Sequence, residues 1–183
     1  MININRILKK DVIYKYDSNL KQFIIKEDEP KSKIKKIKIH SEENNAVCFK
    51  LDCRKQKVAS NYINNEIEGL ASGCDCIIFY SNNGRNLIIF VELKSNNFRD
   101  ENVSNKYKAS KSFSKYLLSL NEEFFNSSSY PIPDLKYVLF TTKPIAQTNP
   151  SRPINIKIKK FNVKQFYVDG SGERTINIGE LIK

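Results

Sequence analysis

The stretch 74–94, CDCIIFYSNNGRNLIIFVELK, constrains the fold more than any other part of the chain. Two runs rich in Ile, Phe, Tyr and Val flank Asn83-Gly84, a dipeptide suited to the positive φ angles of a tight hairpin turn. A two-residue loop sets Tyr80 opposite Leu87, Ile78 opposite Ile89, Cys76 opposite Val91 and Asp75 opposite Glu92. Widening the loop symmetrically to Asn82–Arg85 leaves this register unchanged. Directly opposed residues have Cβ atoms about 4.5–5.5 Å apart. Asp75 and Glu92 are therefore expected as neighbours on one face, and Lys94 shares that face because strand side chains alternate with period two.

Two like charges set opposite each other destabilise a sheet, and burying them uncompensated among apolar neighbours costs more. Three arrangements relieve the cost: a raised pKa, a salt bridge to Lys94, or a divalent cation. Hard, oxygen-seeking Mg²⁺ usually takes one or two carboxylates together with waters and substrate phosphates. Asp75 and Glu92 match that requirement, and the matching reaction is phosphodiester hydrolysis. Lys94 would then orient or deprotonate the attacking water, or steady the charge growing on the phosphate. Sharing one ion requires the two carboxylates to lie within roughly 8 Å, since ligand bonds to Mg²⁺ are only about 2 Å long. Glu66 and Glu68, just upstream, each offer a further metal ligand, with neither preferred. The competing reading is a solvated strand end, for which Glu-x-Lys is commonplace.

Charge narrows the partners. The chain of 183 residues carries 31 Lys+Arg against 20 Asp+Glu, a formal charge of +11. Such a surplus favours polyanions. No apolar run reaches the roughly 18 residues of a membrane span. The N-terminal MININRILKKDVIYKY lacks the apolar core and cleavage site of a signal peptide, and no segment is a clear basic amphipathic helix. Nucleic acid, not a membrane, is the expected partner, and the cytoplasm the expected compartment. Lys108, Lys111 and Lys115 share a helical face that could engage a phosphate backbone, although basic charge also serves solubility.

His40 is the only histidine, so a catalytic triad built on His is not expected. Four residues separate Cys48 from Cys53 and one separates Cys74 from Cys76, neither a regular zinc spacing. Small buried thiols in a reducing compartment explain them better than a four-thiolate zinc site.

Around the hairpin the chain reads as one domain of 183 residues with a β-rich N-terminal extension over 1–56. DVIYKYD, KQFIIKED, KIKKIKIH and AVCFKLD are its strand candidates. The lysines of the third serve either a nucleic-acid face or the protection of an exposed sheet edge. Residues 57–71 have a helical stripe ended by Gly73. Residues 104–120 read as a second helix with Ser104 as N-cap and Ala109, Phe113, Tyr116, Leu117 and Leu120 facing the core. LKYVLFTT is a compact strand. The segment 143–183 holds two or three more, with a turn at Asp169–Gly172.

At GCD and ELK the chain resembles the PD-(D/E)XK, or restriction-endonuclease-like, nuclease superfamily. The resemblance covers roughly 57–142 and implies an α/β fold, a mixed central sheet flanked by helices, with extra N- and C-terminal strands. Its core order is helix, three-stranded meander, helix, strand. It implies Asp75 and Glu92 as Mg²⁺ or Mn²⁺ ligands and Lys94 as the third catalytic residue. AVCFKLD does not fit the usual first core strand, which implies a permuted or embellished meander. Cys74 stands where many relatives have proline. The helix after the triplet has no Gln, so Lys106 or Lys108 would take its place.

The expected function is a metal-dependent nuclease, an endonuclease acting on DNA. Its small size and Lys/Asn/Ile-rich composition suit the effector subunit of a bacterial defence or restriction system, as a homodimer or with a partner protein. The alternative is a catalytically inactive, nuclease-like binding or scaffold subunit.

Overall fold

The computed structural model describes residues 3–27, 29–42, 45–53, 56–57, 66–95, 97–125, 132–143 and 152–182, with the backbone alone at 52–53 and 56–57. The fold is mixed α/β. In chain order the elements are α1 (Ile4–Ile7), β1 (Tyr16–Asp17), β2 (Gln22–Lys26), β3 (Lys36–His40), β4 (Ala46–Phe49), β5 (Asp52–Cys53) and β6 (Gln56–Lys57). There follow β7 (Cys76–Asn82), β8 (Arg85–Lys94), α2 (Asp100–Phe125), β9 (Asp134–Thr141), β10 (Ile154–Ile158), β11 (Phe161–Tyr167), β12 (Glu173–Asn177) and α3 (Ile178–Ile182).

The hairpin organises the larger sheet. Asn83 and Gly84 adopt φ of 50° and 75°, the two positive angles that an Asn-Gly turn supplies. Tyr80 pairs with Leu87, Ile78 with Ile89 and Cys76 with Val91, the register expected from the sequence. The sheet runs β10-β11-β9-β8-β7-β4. β4 and β8 both pair antiparallel with β7, so AVCF closes a three-stranded meander and is not outside it. β9 returns parallel to β8 after α2, as a helical crossover allows.

A second sheet, β1-β2-β3-β12, packs against one face of the first. Phe23, Ile25, Ile37 and Ile39 meet Ile78, Ile89, Val91, Leu93, Phe140 and Phe166 in one buried cluster. β3 is an interior strand, not an edge, because β12 from the C-terminal segment pairs parallel with it. Its lysines do not guard an edge: Lys36 and Lys38 reach Glu173 on β12 at 3.1 and 2.9 Å.

The opposite face of the larger sheet is covered by α2. Ile77, Phe79, Ile88, Phe90 and Leu139 pack there against Val103, Tyr107 and Leu117, and Ile4 of α1 joins them. The Tyr107 hydroxyl donates 2.9 Å to the Val138 carbonyl, fixing the helix over β9. The period-two alternation of β8 sends Leu87, Ile89, Val91 and Leu93 to the sheet–sheet core and Ile88 and Phe90 to the helix side. Glu92 therefore falls under α2.

Three local expectations are corrected. Of the helix expected over 57–71, Lys57 lies in β6 and residues 66–71 form turns, while 58–65 lie outside the described residues. Gly69, at φ 78°, lets this turn approach α2 so closely that an added Cβ would stand 2.5 Å from Asn105 Cβ. Ser104 is not an N-cap: α2 begins at Asp100, and the acidic first turn of Asp100 and Glu101 suits the helix dipole. The buried face of α2 is Val103, Ser104, Tyr107, Ser110, Ser114, Leu117 and Asn121, whereas Tyr116 is 58% exposed. Small serines share this contact with Val103, Tyr107 and Leu117, and Phe113 packs at its margin. Among the described residues, no helix is long and apolar enough to cross a membrane.

Candidate active site

β8 carries Glu92 and Lys94 on the helix side of its last turn of pleat, and the segment entering β7 brings Asp75 beside them. Asp75 does not extend the ladder, whose last pair is Cys76 with Val91. Its carboxylate turns across instead, and Oδ2 accepts 2.6 Å from the Leu93 backbone N–H. The preceding residue is also anchored, because the Ser110 hydroxyl on α2 accepts 2.8 Å from the Cys74 N–H. Strand entry, strand end and helix are thus tied at one point.

Glu92 is fully buried. Lys94 Nζ lies 2.7 Å from Glu92 Oε1, and Lys106 Nζ lies 2.9 Å from the same oxygen. Lys106 also stands 3.6 Å from Asp75 Oδ1. One ammonium spans both acids, so the two oxygens can be no farther apart than those two legs laid end to end. That lies inside the roughly 8 Å a shared ion demands. The other Glu92 oxygen, Oε2, is buried and accepts no hydrogen bond.

These surroundings set the electrostatics. Burial, and after it the Asp75 charge, pushes the Glu92 carboxyl up from 4.5 to about 7, and the two lysines offset only part of that rise. Burial and then the Glu92 charge also push the Cys74 thiol up, so it remains a neutral packing group. A fully buried carboxyl with one oxygen orphaned, a second carboxylate beside it and cations at hand is unusual for a purely structural position. The donor set suits a hard divalent cation, for which oxygen ligands are required.

The other expected residues sit elsewhere. Glu66 and Glu68 are exposed, and among the described residues no group of three or more His, Cys, Asp or Glu side chains is arranged to hold a metal. Lys108 is exposed and donates 3.0 Å to Asn105 Oδ1. Lys111 and Lys115 border a cavity of about 230 Å³ with Ile88, Leu118 and Leu135. At 3.6 residues per turn, the stripe of Lys108, Lys111 and Lys115 lies on the flank of α2 opposite Lys106. The basic stripe and the carboxylates are consequently not neighbours.

Of the two lysines expected to replace a helix Gln, Lys106 enters the site and Lys108 does not. Ser110 was missed; its only sequence signal is a position one helical turn after Lys106. Buried Cys48 and Cys76 lie in the sheet–sheet core and Cys74 under α2, so these three thiols cannot share a zinc ion. Beside Lys94 a cavity of about 170 Å³ is bordered by Glu27, Lys31, Ser32, Ser95 and Asn97, which brings the smaller sheet's loop to the site's rim. Compared with protein-family models, curated proteins and solved structures, the chain finds no match.

Proposed function

We propose that the chain is a Mg²⁺- or Mn²⁺-dependent nuclease of the PD-(D/E)XK type that hydrolyses phosphodiester bonds, with DNA as substrate. The observation that carries this reading is the buried Glu92 carboxylate, with Oε2 unpartnered, held beside Asp75 by Lys106. The succession of meander β4-β7-β8, helix α2 and parallel strand β9 supports it as the later part of the core order the resemblance implies, without the helix expected over 57–71.

Asp75 and Glu92 would hold the ion. When bound, it would lower the pKa of water and polarise the scissile phosphate. The chain's own part is positional. β8 fixes Glu92 and Lys94 on one rigid pleat, and the Leu93 N–H holds Asp75 at a set angle. Lys94, 23% exposed, is the cation of the trio and can meet both solvent water and a phosphoryl oxygen. Water's oxygen forms the new bond to phosphorus, the bond to the leaving oxygen breaks, and that oxygen ends protonated. Lys94 orients the attacking water and offsets charge on the phosphoryl oxygens. A role as effector subunit in a bacterial defence assembly fits the absence of any obvious sequence-reading module among the described residues.

Purified protein incubated with plasmid, linear and single-stranded nucleic acids plus Mg²⁺ or Mn²⁺ tests the reading, alongside Glu92→Ala and Lys94→Ala. Cleavage by the native chain that both substitutions abolish is expected. Cleavage surviving both would remove the site assignment. Failure to cut any substrate would favour a nuclease-like scaffold.

A further inference from the structure

Lys106 occupies an unusual place. Its side chain is 18% exposed, and it comes from α2 while both acids come from the sheet. Its ammonium stands between Asp75 and Glu92, where one positive charge can serve two carboxylates. We infer that Lys106 is a tethered substitute for the divalent cation, which must leave the carboxylates before metal can bridge them. This rests on the metal-dependent reading above and adds a rule for how the site is loaded.

The argument is one of space and charge. A hard cation bridging two carboxylates needs each oxygen at about 2.0–2.6 Å. The Lys106 Nζ already lies 2.9 Å from Glu92 Oε1 and 3.6 Å from Asp75 Oδ1. An ammonium and a dication cannot share that volume, and in so buried a place their repulsion is only weakly screened. Lys94 presents a different case. It lies one pleat along β8, 2.7 Å from Glu92 Oε1, and contacts that acid alone, so it does not occupy the place between the two carboxylates.

Two consequences follow. Metal alone binds weakly, because it must displace an internal competitor. A phosphodiester offers the displaced ammonium a new partner, so substrate and metal load together. By linkage the strengthening is mutual. Asp75 and Glu92 are thereby kept from collecting metal when no nucleic acid is present.

The test is Mn²⁺ binding by the full chain, measured by electron paramagnetic resonance and calorimetry at pH 8. Native protein is compared with Lys106→Met, Lys106→Gln, Lys108→Met and Glu92→Gln, each first checked for folding by circular dichroism. Mn²⁺ should bind Lys106→Met and Lys106→Gln about tenfold or more tightly than the native chain, with Lys108→Met unchanged and Glu92→Gln weakened. A phosphorothioate DNA duplex should tighten Mn²⁺ binding to the native chain severalfold and to Lys106→Met much less. Glu92-dependent binding with equal or lower affinity in both Lys106 variants would overturn the inference while leaving the metal reading intact. Equal tightening by duplex in native and Lys106→Met proteins would overturn the coupling to substrate. No Glu92-dependent binding in any variant would overturn both the inference and the metal reading beneath it.

Discussion

The Lys106 ammonium of α2 lies 2.9 Å from Glu92 Oε1 at the end of β8, and that oxygen belongs to a carboxyl with no exposure to solvent. Helix and sheet therefore meet through an ion pair beneath α2. Such a pair is a poor device for stability, because desolvating the charges offsets much of their attraction. Its value lies in holding two carboxylates close until something else claims them.

The first prediction concerns pH. Glu92 titrates near 7 in the folded chain against 4.5 ordinarily. Its folded-state value is the higher, so the stabilisation from its bound proton is fully present below about pH 4.5 and is lost as pH rises to 7. The metal-free protein should lose on the order of 3 kcal/mol across that window from this group. Urea unfolding at half-unit pH steps measures it, with Glu92→Gln as the reference from which the slope is absent. An identical slope in Glu92→Gln would assign the loss to other groups.

The second prediction separates stability from activity. Gln at position 92 keeps the shape of the protonated carboxyl and carries no charge. At pH 8 Glu92→Gln should be more stable than the native chain by about 1–3 kcal/mol, and at pH 4.5 nearly equal to it. The same variant should lose metal-dependent cleavage. A destabilised Glu92→Gln at pH 8 would mean that the pairs with Lys94 and Lys106 outweigh the burial of charge.

Asp75 allows a sharper dissection, because its two oxygens have different partners. Oδ2 accepts from the Leu93 N–H and Oδ1 faces Lys106. Asp75→Ala leaves a buried N–H without an acceptor and should cost about 1–3 kcal/mol. Asp75→Asn keeps an acceptor oxygen and should cost clearly less in the same urea titration. Both should lose cleavage, since neither retains the anionic oxygen. Equal stability of the two variants would show that the Leu93 bond contributes nothing measurable.

Asp75, Glu92 and Lys94 could be read in the sequence and Lys106 as one of two alternatives, whereas Ser110, which anchors the backbone beside Asp75, could not. Asn83-Gly84 fixes the hairpin because its φ angles permit one turn hand, and that register alone brings Asp75 near Glu92. The period of β8 likewise determines which face Glu92 shares with Phe90. By contrast, the turn of 66–71 resembled a helix because apolar residues recur there at helical spacing, while Gly69 is spent on close approach to Asn105. The inner face of α2 was misjudged for a related reason. Leu117 lies inside as expected and Phe113 packs at the margin, but Tyr116 is exposed and the buried Ser104, Ser110 and Ser114 are ones periodicity cannot distinguish from a solvent face. Long-range pairing, such as β12 beside β3, leaves no local signal at all.

Two of those serines provide a matched test of how α2 is fastened. The Ser110 hydroxyl accepts from the buried Cys74 N–H, one residue from Asp75. Ser114, one turn later on the same face, is 2% exposed and its hydroxyl has no hydrogen-bond partner. Ser110→Ala should cost about 1–3 kcal/mol, because it strands a buried donor. Ser114→Ala removes an unsatisfied polar atom instead and should be neutral or stabilising by up to about 1 kcal/mol. Cleavage separates them as well: Ser110→Ala should lower the rate at saturating metal, since the backbone that aims Asp75 is loosened, while Ser114→Ala should leave it unchanged. Thermal unfolding together with nuclease assays reads both effects. If Ser114→Ala proved as costly as Ser110→Ala, close packing of the helix would be the shared cause, and the bond to Cys74 would lose its special role.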